Sequence, residues 1–209
     1  MPQNDFSSVW GILLAGGQAR RMGGGDKPLR TLAGRQLLDH VISRLRPQCA
    51  GLVINANGDP ARFRDYGLPI VPDVIEGFAG PLAGILSGLE WLRTEQPTVR
   101  WALSAATDTP FLPTDLVARL DRARSSEAAD IAVACSGGRS HPVFGLWPTA
   151  TAPVLRQAVI GDGERKIDTF TARYKVAGAV FSTEPVDPFF NANRPEDLAH
   201  AERLTRQAG

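Results

Sequence analysis

The residues best suited to chemistry lie near the start of the chain. The apolar run Val9-Trp10-Gly11-Ile12-Leu13-Leu14 ends at Ala15-Gly16-Gly17, and Arg20-Arg21-Met22-Gly23-Gly24-Gly25 leads on to Asp26-Lys27. Glycines let backbone N–H groups approach an anion with no Cβ in the way. Arg21 offers a planar guanidinium fork and Lys27 a compact ammonium. The stretch therefore reads as a cradle for phosphate. The competing explanation, a surface loop with solvated cations, is disfavoured by its place directly after the first apolar run. Lysine occurs only at Lys27, Lys166 and Lys175 in a chain that otherwise uses arginine, so a flexible point charge is favoured at the end of this loop.

Two other phosphate-binding patterns fail on spacing. A P-loop needs Gly-x-x-x-x-Gly-Lys followed by Ser or Thr. Here Asp26 separates Gly25 from Lys27, and Pro28 follows. The dinucleotide pattern Gly-x-Gly-x-x-Gly is absent. Further along, polar residues close three more apolar runs: Asn55 after Leu52-Val53-Ile54, Asp73 after Pro69-Ile70-Val71, and Asp108 after Trp101–Ala106. Singly, each has a structural explanation: Asn55 as a turn former, Asp73 as a surface carboxylate, Asp108 as a capping acid near Pro110. Asp108 is the most telling, because a carboxylate is costly to place after an uninterrupted small and apolar run. A strand-end carboxylate facing a triphosphate is one way that magnesium is held, together with phosphate oxygens.

The apolar runs also predict the elements that carry these residues. Strands are expected at 9–14, 52–54, 69–71, 101–106, 130–134, within 143–146, and at 176–180. Helical spacing is expected at 37–45, stopped by Pro47, and in a short segment at 60–66. A second glycine cluster, Gly77 to Gly84, runs into an apolar helix bearing Ile85, Leu86, Leu89 and Trp91. Further helices are expected at Thr114–Arg124 with Thr114 as N-cap, at Thr151–Val159, at Ile167–Arg173 and at the end of the chain. Such alternation indicates an α/β fold: a three-layer, doubly wound, mostly parallel sheet of Rossmann-like type, in one domain spanning 1–209. Ligands of such sheets bind outside the carboxyl ends of the strands. The glycine loop, Asn55, Asp73 and Asp108 would then share one edge.

With 23 basic and 22 acidic side chains, no global field favours nucleic acid or an anionic membrane. Cys49 and Cys135 show no metal-ligand spacing and no disulfide framework. The N-terminal residues resemble no signal peptide and no run reaches spanning length, so a cytoplasmic protein is expected. His40 and His200 fall in predicted helices. His141 falls in the glycine-rich loop Gly137-Gly138-Arg139-Ser140-His141-Pro142, and none of the three shows a sequence partner.

Leu14-Ala15-Gly16-Gly17, Arg21-Met22-Gly23-Gly24 and Asp26-Lys27 together resemble the signature loop of nucleotidyltransferases related to the nucleotide-diphospho-sugar transferases. The Gly-Gly-x-Asp-Lys ending is most similar to the molybdenum cofactor guanylyltransferases, the molybdopterin-guanine dinucleotide synthases. Gly80-Pro81-Leu82-Ala83-Gly84, Asp108-Thr109-Pro110 and Asn191-Ala192-Asn193-Arg194-Pro195-Glu196-Asp197 extend the resemblance over nearly the whole chain, although Arg194 stands where the family often has threonine. The resemblance implies that a GMP moiety passes from GTP to the terminal phosphate of molybdenum-molybdopterin, with Mg²⁺ as cofactor and pyrophosphate as by-product. It implies nucleotide contacts at Leu14, Ala15, Gly16 and Gly17, and phosphate contacts at Lys27 and Arg21. Asn55, Asp73 and Gly80 would support the nucleotide, Asp108 the metal, and Asn191 and Asn193 the second substrate or the metal; the two asparagines could equally just shape the turn. Arg139 is a candidate for the anionic pterin. Partners implied are an enzyme delivering the pterin and an apo-molybdoenzyme or its chaperone. The readings left open are a cytidylyltransferase of the same fold and a GTP-binding protein without turnover.

Overall fold

The computed structural model describes residues 8–16, 26–75, 80–192 and 195–207. Among them, β1 (Val9–Leu14), β4 (Gly51–Asn55), β5 (Ile70–Val71), β6 (Trp101–Ala106), β7 (Ile131–Ser136), β8 (Arg139–Pro148) and β9 (Val176–Phe181) form one sheet, in the order β5-β4-β1-β6-β8-β7-β9. Neighbours are parallel except β8, which runs antiparallel to both β6 and β7. The expected mostly parallel sheet is therefore present, with one reversed strand.

The register levels the strand ends. Leu14 pairs with Asn55 on one side and Ala106 on the other, and Asn55 pairs with Val71. Whatever follows β1, β4, β5 and β6 must emerge along a single edge.

Helices α1 (Leu37–Leu45) and α3 (Leu116–Glu127) cover one face, burying Leu38, Val41, Leu45, Leu116, Val117 and Leu120. Helices α2 (Pro81–Glu95), α4 (Ala152–Arg156) and α5 (Ile167–Thr171) cover the other, burying Leu82, Ile85, Leu86, Leu89, Leu155 and Phe170. Each such side chain contributes about 1.5–3 kcal/mol, and the central strands, covered on both sides, are apolar apart from Ser104 in β6 and Asn55 at the end of β4. Edge strand β9 instead alternates buried and exposed residues. Helix α6 (Pro195–Gln207) brings Ala201 against Leu32 and Leu37.

Three expectations are corrected, and one element is added. The glycine-rich loop 137–142 is a hairpin: Gly137 and Gly138 take positive φ of 54° and 74°, giving a two-residue turn whose twist suits adjacent strands, so Arg139 already belongs to β8. Pro142, lacking an N–H, falls where the β7–β8 ladder slips, between the pairs Ala134–His141 and Val133–Gly145. Thr114 is not the cap of α3. The helix starts at Leu116, and the Gln48 side-chain oxygen accepts the Val117 N–H at 3.0 Å in place of a local cap. The polar link after Lys27 contains a small hairpin, β2 (Thr31–Leu32) with β3 (Arg35–Gln36), turning through Ala33 and Gly34 at positive φ. The expected helices at 151–159 and 167–173 are shorter, the first passing into a wider turn at Gln157–Gly161.

Candidate active site

The end of the glycine loop and the end of β6 meet. Lys27 Nζ forms an ion pair with Asp108 Oδ2, both side chains being about four-fifths covered or more, at 15% and 16% exposure. Lys27 opens a short helical turn, Lys27–Leu29, at whose start Asp26 pairs with Arg62 Nη1 at 2.7 Å. That anchor ties the lysine's backbone to the 60–66 turn.

Asp108 is held from both sides by threonines. Thr107 Oγ1 donates to the Leu14 carbonyl at 3.1 Å, fastening β6 to the end of β1. Thr109 Oγ1 donates to Asn191 Oδ1 at 2.6 Å, and Ala192 N donates to the Asp108 carbonyl at 2.9 Å. Thr107 and Thr109 are buried, so their hydroxyls gain most by these bonds. The peptide bearing Asp108 is thus fixed while its carboxylate faces Lys27.

On the other side of β1, Asn55 is buried and donates through Nδ2 to the Val71 carbonyl at 3.1 Å and to Asp73 Oδ1 at 2.9 Å. Asn57 closes the cluster, donating to Asp73 Oδ2 at 2.7 Å and accepting the Asp73 N–H at 2.8 Å. Helix α2 approaches this group through glycine. A Cβ at Gly84 would stand 2.3 Å from Asn55 Oδ1 and 2.8 Å from the Leu14 side chain. Gly80, in extended conformation, precedes Pro81 at the first position of the helix. Gly16 differs: among the described residues, the one atom a Cβ there would approach is Asn55 Oδ1, at an ordinary 4.0 Å.

Leu14, Ala15, Gly16, Lys27, Asn55, Asp73, Gly80, Asp108 and Asn191 therefore all lie at or behind the single edge expected of them. Gly17, Arg21 and Asn193 lie outside the described residues. Arg139 is exposed at the start of β8, beside the turn of the β7–β8 hairpin, on the strand next to β6. His40 Nε2 lies 3.0 Å from the Leu32 carbonyl and His200 packs on Phe190, structural settings for both. His141, for which the sequence offered no partner, has one in Ser136. The residues missed were Thr107, Thr109 and Asn57. Their signal was available, as small polar residues flanking or trailing the polar strand ends.

The donor set suits magnesium. The Asp108 carboxylate, with the Asn191 amide oxygen brought to the same place by Thr109, presents hard oxygens. Magnesium is ordinarily held by one or two carboxylates plus substrate phosphates rather than by a full protein cage. No cluster of three or more His, Cys, Asp or Glu suited to a metal occurs among the described residues, and this mode of binding needs none.

Comparison with known proteins agrees with this geometry. Residues 11–177 match the family described as MobA-like NTP transferase domain. The molybdenum cofactor guanylyltransferase of Bradyrhizobium sp. (strain ORS 278) is 59% identical over 204 residues, covering 98% of this chain and 96% of the relative. That of Rhodopseudomonas palustris (strain BisB5) is 57% identical, covering 98% and 97%. Among solved structures, molybdopterin-guanine dinucleotide biosynthesis protein A from Archaeoglobus fulgidus shares the fold with a TM-score of 0.73 at 24% identity, over 95% of this chain and 99% of that one. A fold of this kind, a lysine and an aspartate meeting across its strand ends, and identity of this level over nearly the full length place the chain in the molybdenum cofactor guanylyltransferase family.

Proposed function

We propose that this chain, as one nucleotidyltransferase domain in the cytoplasm, transfers the GMP moiety of GTP to the terminal phosphate of molybdenum-molybdopterin. An oxygen of the acceptor phosphate attacks the α-phosphorus of GTP. The bond to the α,β-bridging oxygen breaks, and pyrophosphate leaves with the electron pair. The attacking oxygen is already ionised at neutral pH, so no general base is needed. The protein's task is alignment and charge neutralisation.

The observation that carries the proposal is the Lys27–Asp108 pair at the mouth of the strand edge. The triphosphate competes for the Lys27 ammonium, freeing the Asp108 carboxylate. Asp108 would hold magnesium with Asn191 beside it; when bound, the ion neutralises phosphoryl oxygens. The Leu14–Gly16 backbone lies against the nucleotide, where glycine lets its N–H groups approach a phosphate. Asn55 and Asp73, locked by Asn57, support the nucleotide from the β4 side, and Gly80 lines the same place. Gly17, Arg21 and Asn193 complete the assignment from the sequence. An enzyme delivering the pterin and an apo-molybdoenzyme or its chaperone are the expected protein partners.

Pyrophosphate release from GTP with magnesium, dependent on the pterin acceptor and lost in Asp108→Ala, is the expected result. Tighter binding of CTP than GTP would overturn the choice of base. GTP binding with no acceptor-dependent release would overturn the reaction.

A further inference from the structure

These roles leave one polar chain unused, buried at Ser136 and half-buried at Asp187 and His141. Ser136, at the end of β7, is 1% exposed; its Oγ donates to Asp187 Oδ1 at 2.9 Å and lies 2.8 Å from His141 Nε2. A hydroxyl has a single proton. With that proton spent on the carboxylate, the imidazole Nε2–H is the donor to serine. Burial lowers the His141 pKa, which favours the neutral ring carrying its proton at Nε2. The order carboxylate, hydroxyl, imidazole is also the wrong one for a nucleophilic serine, which needs the imidazole as proton acceptor. The chain positions something.

What it positions is the stretch leading to Asp108. Asp187 Oδ1 also accepts the Phe189 N–H at 3.0 Å. The His141 ring stacks on Phe189 with centroids 4.9 Å apart, and Phe144 and Phe181 close round the same ring. Two and three residues further on are Asn191, which takes the Thr109 hydroxyl, and Ala192, which takes the Asp108 carbonyl. Residues 187–192 form a strap tied at one end to His141 and at the other to the peptide of Asp108.

We infer that His141, acting through Ser136, Asp187 and Phe189, is a positioning residue that sets the strap and so the placement of Asn191 beside the fixed peptide of Asp108. The inference rests on the proposed function for its kinetic consequence. Strand β8, which carries His141, lies on the side of β6 away from β1 and its glycine loop. Its loss should therefore disturb the acceptor and turnover more than GTP.

The test compares His141→Phe, which keeps a ring on Phe189 but no donor, with His141→Gln, which keeps an N–H, and with Ser136→Ala. Acceptor kcat/KM is expected to fall by about ten- to a hundredfold in His141→Phe, with GTP KM within about twofold of wild type and partial recovery in His141→Gln. Nitrogen NMR of the histidines should show the Nε2–H tautomer, altered in Ser136→Ala. Unchanged kinetics in His141→Phe, an equal loss toward GTP and acceptor, or an Nδ1–H tautomer would each overturn the inference. Wild-type protein that releases no pyrophosphate removes the proposed function instead. The strap is then decided by the Asn191 and Ala192 amide resonances, which move in His141→Phe if it is held as inferred and stay put if it is not.

Discussion

Replacing Gly84 by alanine tests whether α2 is set against the nucleotide edge by the absence of a side chain. The new Cβ would stand 2.3 Å from Asn55 Oδ1, 2.8 Å from Leu14 Cδ2 and 3.1 Å from Asn55 Cγ. Asn55 cannot yield cheaply, because its amide nitrogen is committed to Val71 and Asp73. If it gives way, two hydrogen bonds are lost at about 1 kcal/mol each. If the helix moves instead, overpacking costs about 1–3 kcal/mol. The exchange of glycine for alanine inside a helix returns about 1 kcal/mol. The net loss is then about 1 kcal/mol if Asn55 moves and up to about 2 kcal/mol if the helix does, or roughly 2–8 °C in Tm for a chain of this length.

The control is Gly88→Ala, one turn along α2, where the atoms nearest the Cβ are those of the Ile12 side chain, from 2.6 Å. Both variants should melt earlier in a thermal scan. Only Gly84→Ala should also weaken GTP, by about tenfold on titration, since only it displaces Asn55. A Gly84→Ala protein with wild-type Tm and wild-type GTP affinity would refute the argument that this glycine is dictated by Asn55. So would equal GTP losses in the two variants.

Three further outcomes are expected. Lys27→Arg retains the charge but replaces a compact ammonium by a planar fork opposite Asp108; kcat/KM for GTP should fall about ten- to a hundredfold in a pyrophosphate assay, and wild-type turnover would refute the need for lysine. GTP at about a hundred times its Kd should stabilise the protein by about 2.7 kcal/mol in magnesium; most of that thermal shift should vanish with a chelator, and a shift indifferent to chelation would separate Asp108 from any metal. Acidification should destabilise the fold through His141, whose pKa is lowered from the ordinary 6.5, first by burial and further by Arg139, against the opposing pull of Asp187 and of a hydrogen bond to the Ser136 backbone. With the folded value below the unfolded one, the unfolded chain binds more protons between them. The contribution is therefore whole above pH 6.5 and declines as pH falls through the folded value; denaturant titrations should show that slope in wild type and a shallower one in His141→Phe.

The parts of the site visible in the sequence were those in which one residue type announces its own constraint. An aspartate after Trp101–Ala106 is costly unless it has a task, and a glycine loop ending in a rare lysine has few other uses. The parallel register brings the start of the glycine loop level with Asp108, because Leu14, Asn55 and Ala106 stand level; Lys27 reaches Asp108 through the Asp26–Arg62 anchor, which the sequence does not announce. What escaped depended on partners distant in the chain. Gln48 caps α3 from 69 residues away, so the local preference for Thr114 had no chance to decide the boundary. His141 looked partnerless because Asp187 lies in a loop of no regular pattern, reached only through Ser136. The hairpin at Gly137-Gly138 was read as a loop since glycine pairs serve both, and only the return of β8 alongside β7 distinguishes them. That one reversed strand carries His141 to the side of Asp108 opposite the glycine loop. The feature least legible in the sequence is thus the one that gives the edge its second half: Lys27, Asn55 and Asp73 on the β1 side, and on the β8 side the strap 187–192 that we infer His141 positions.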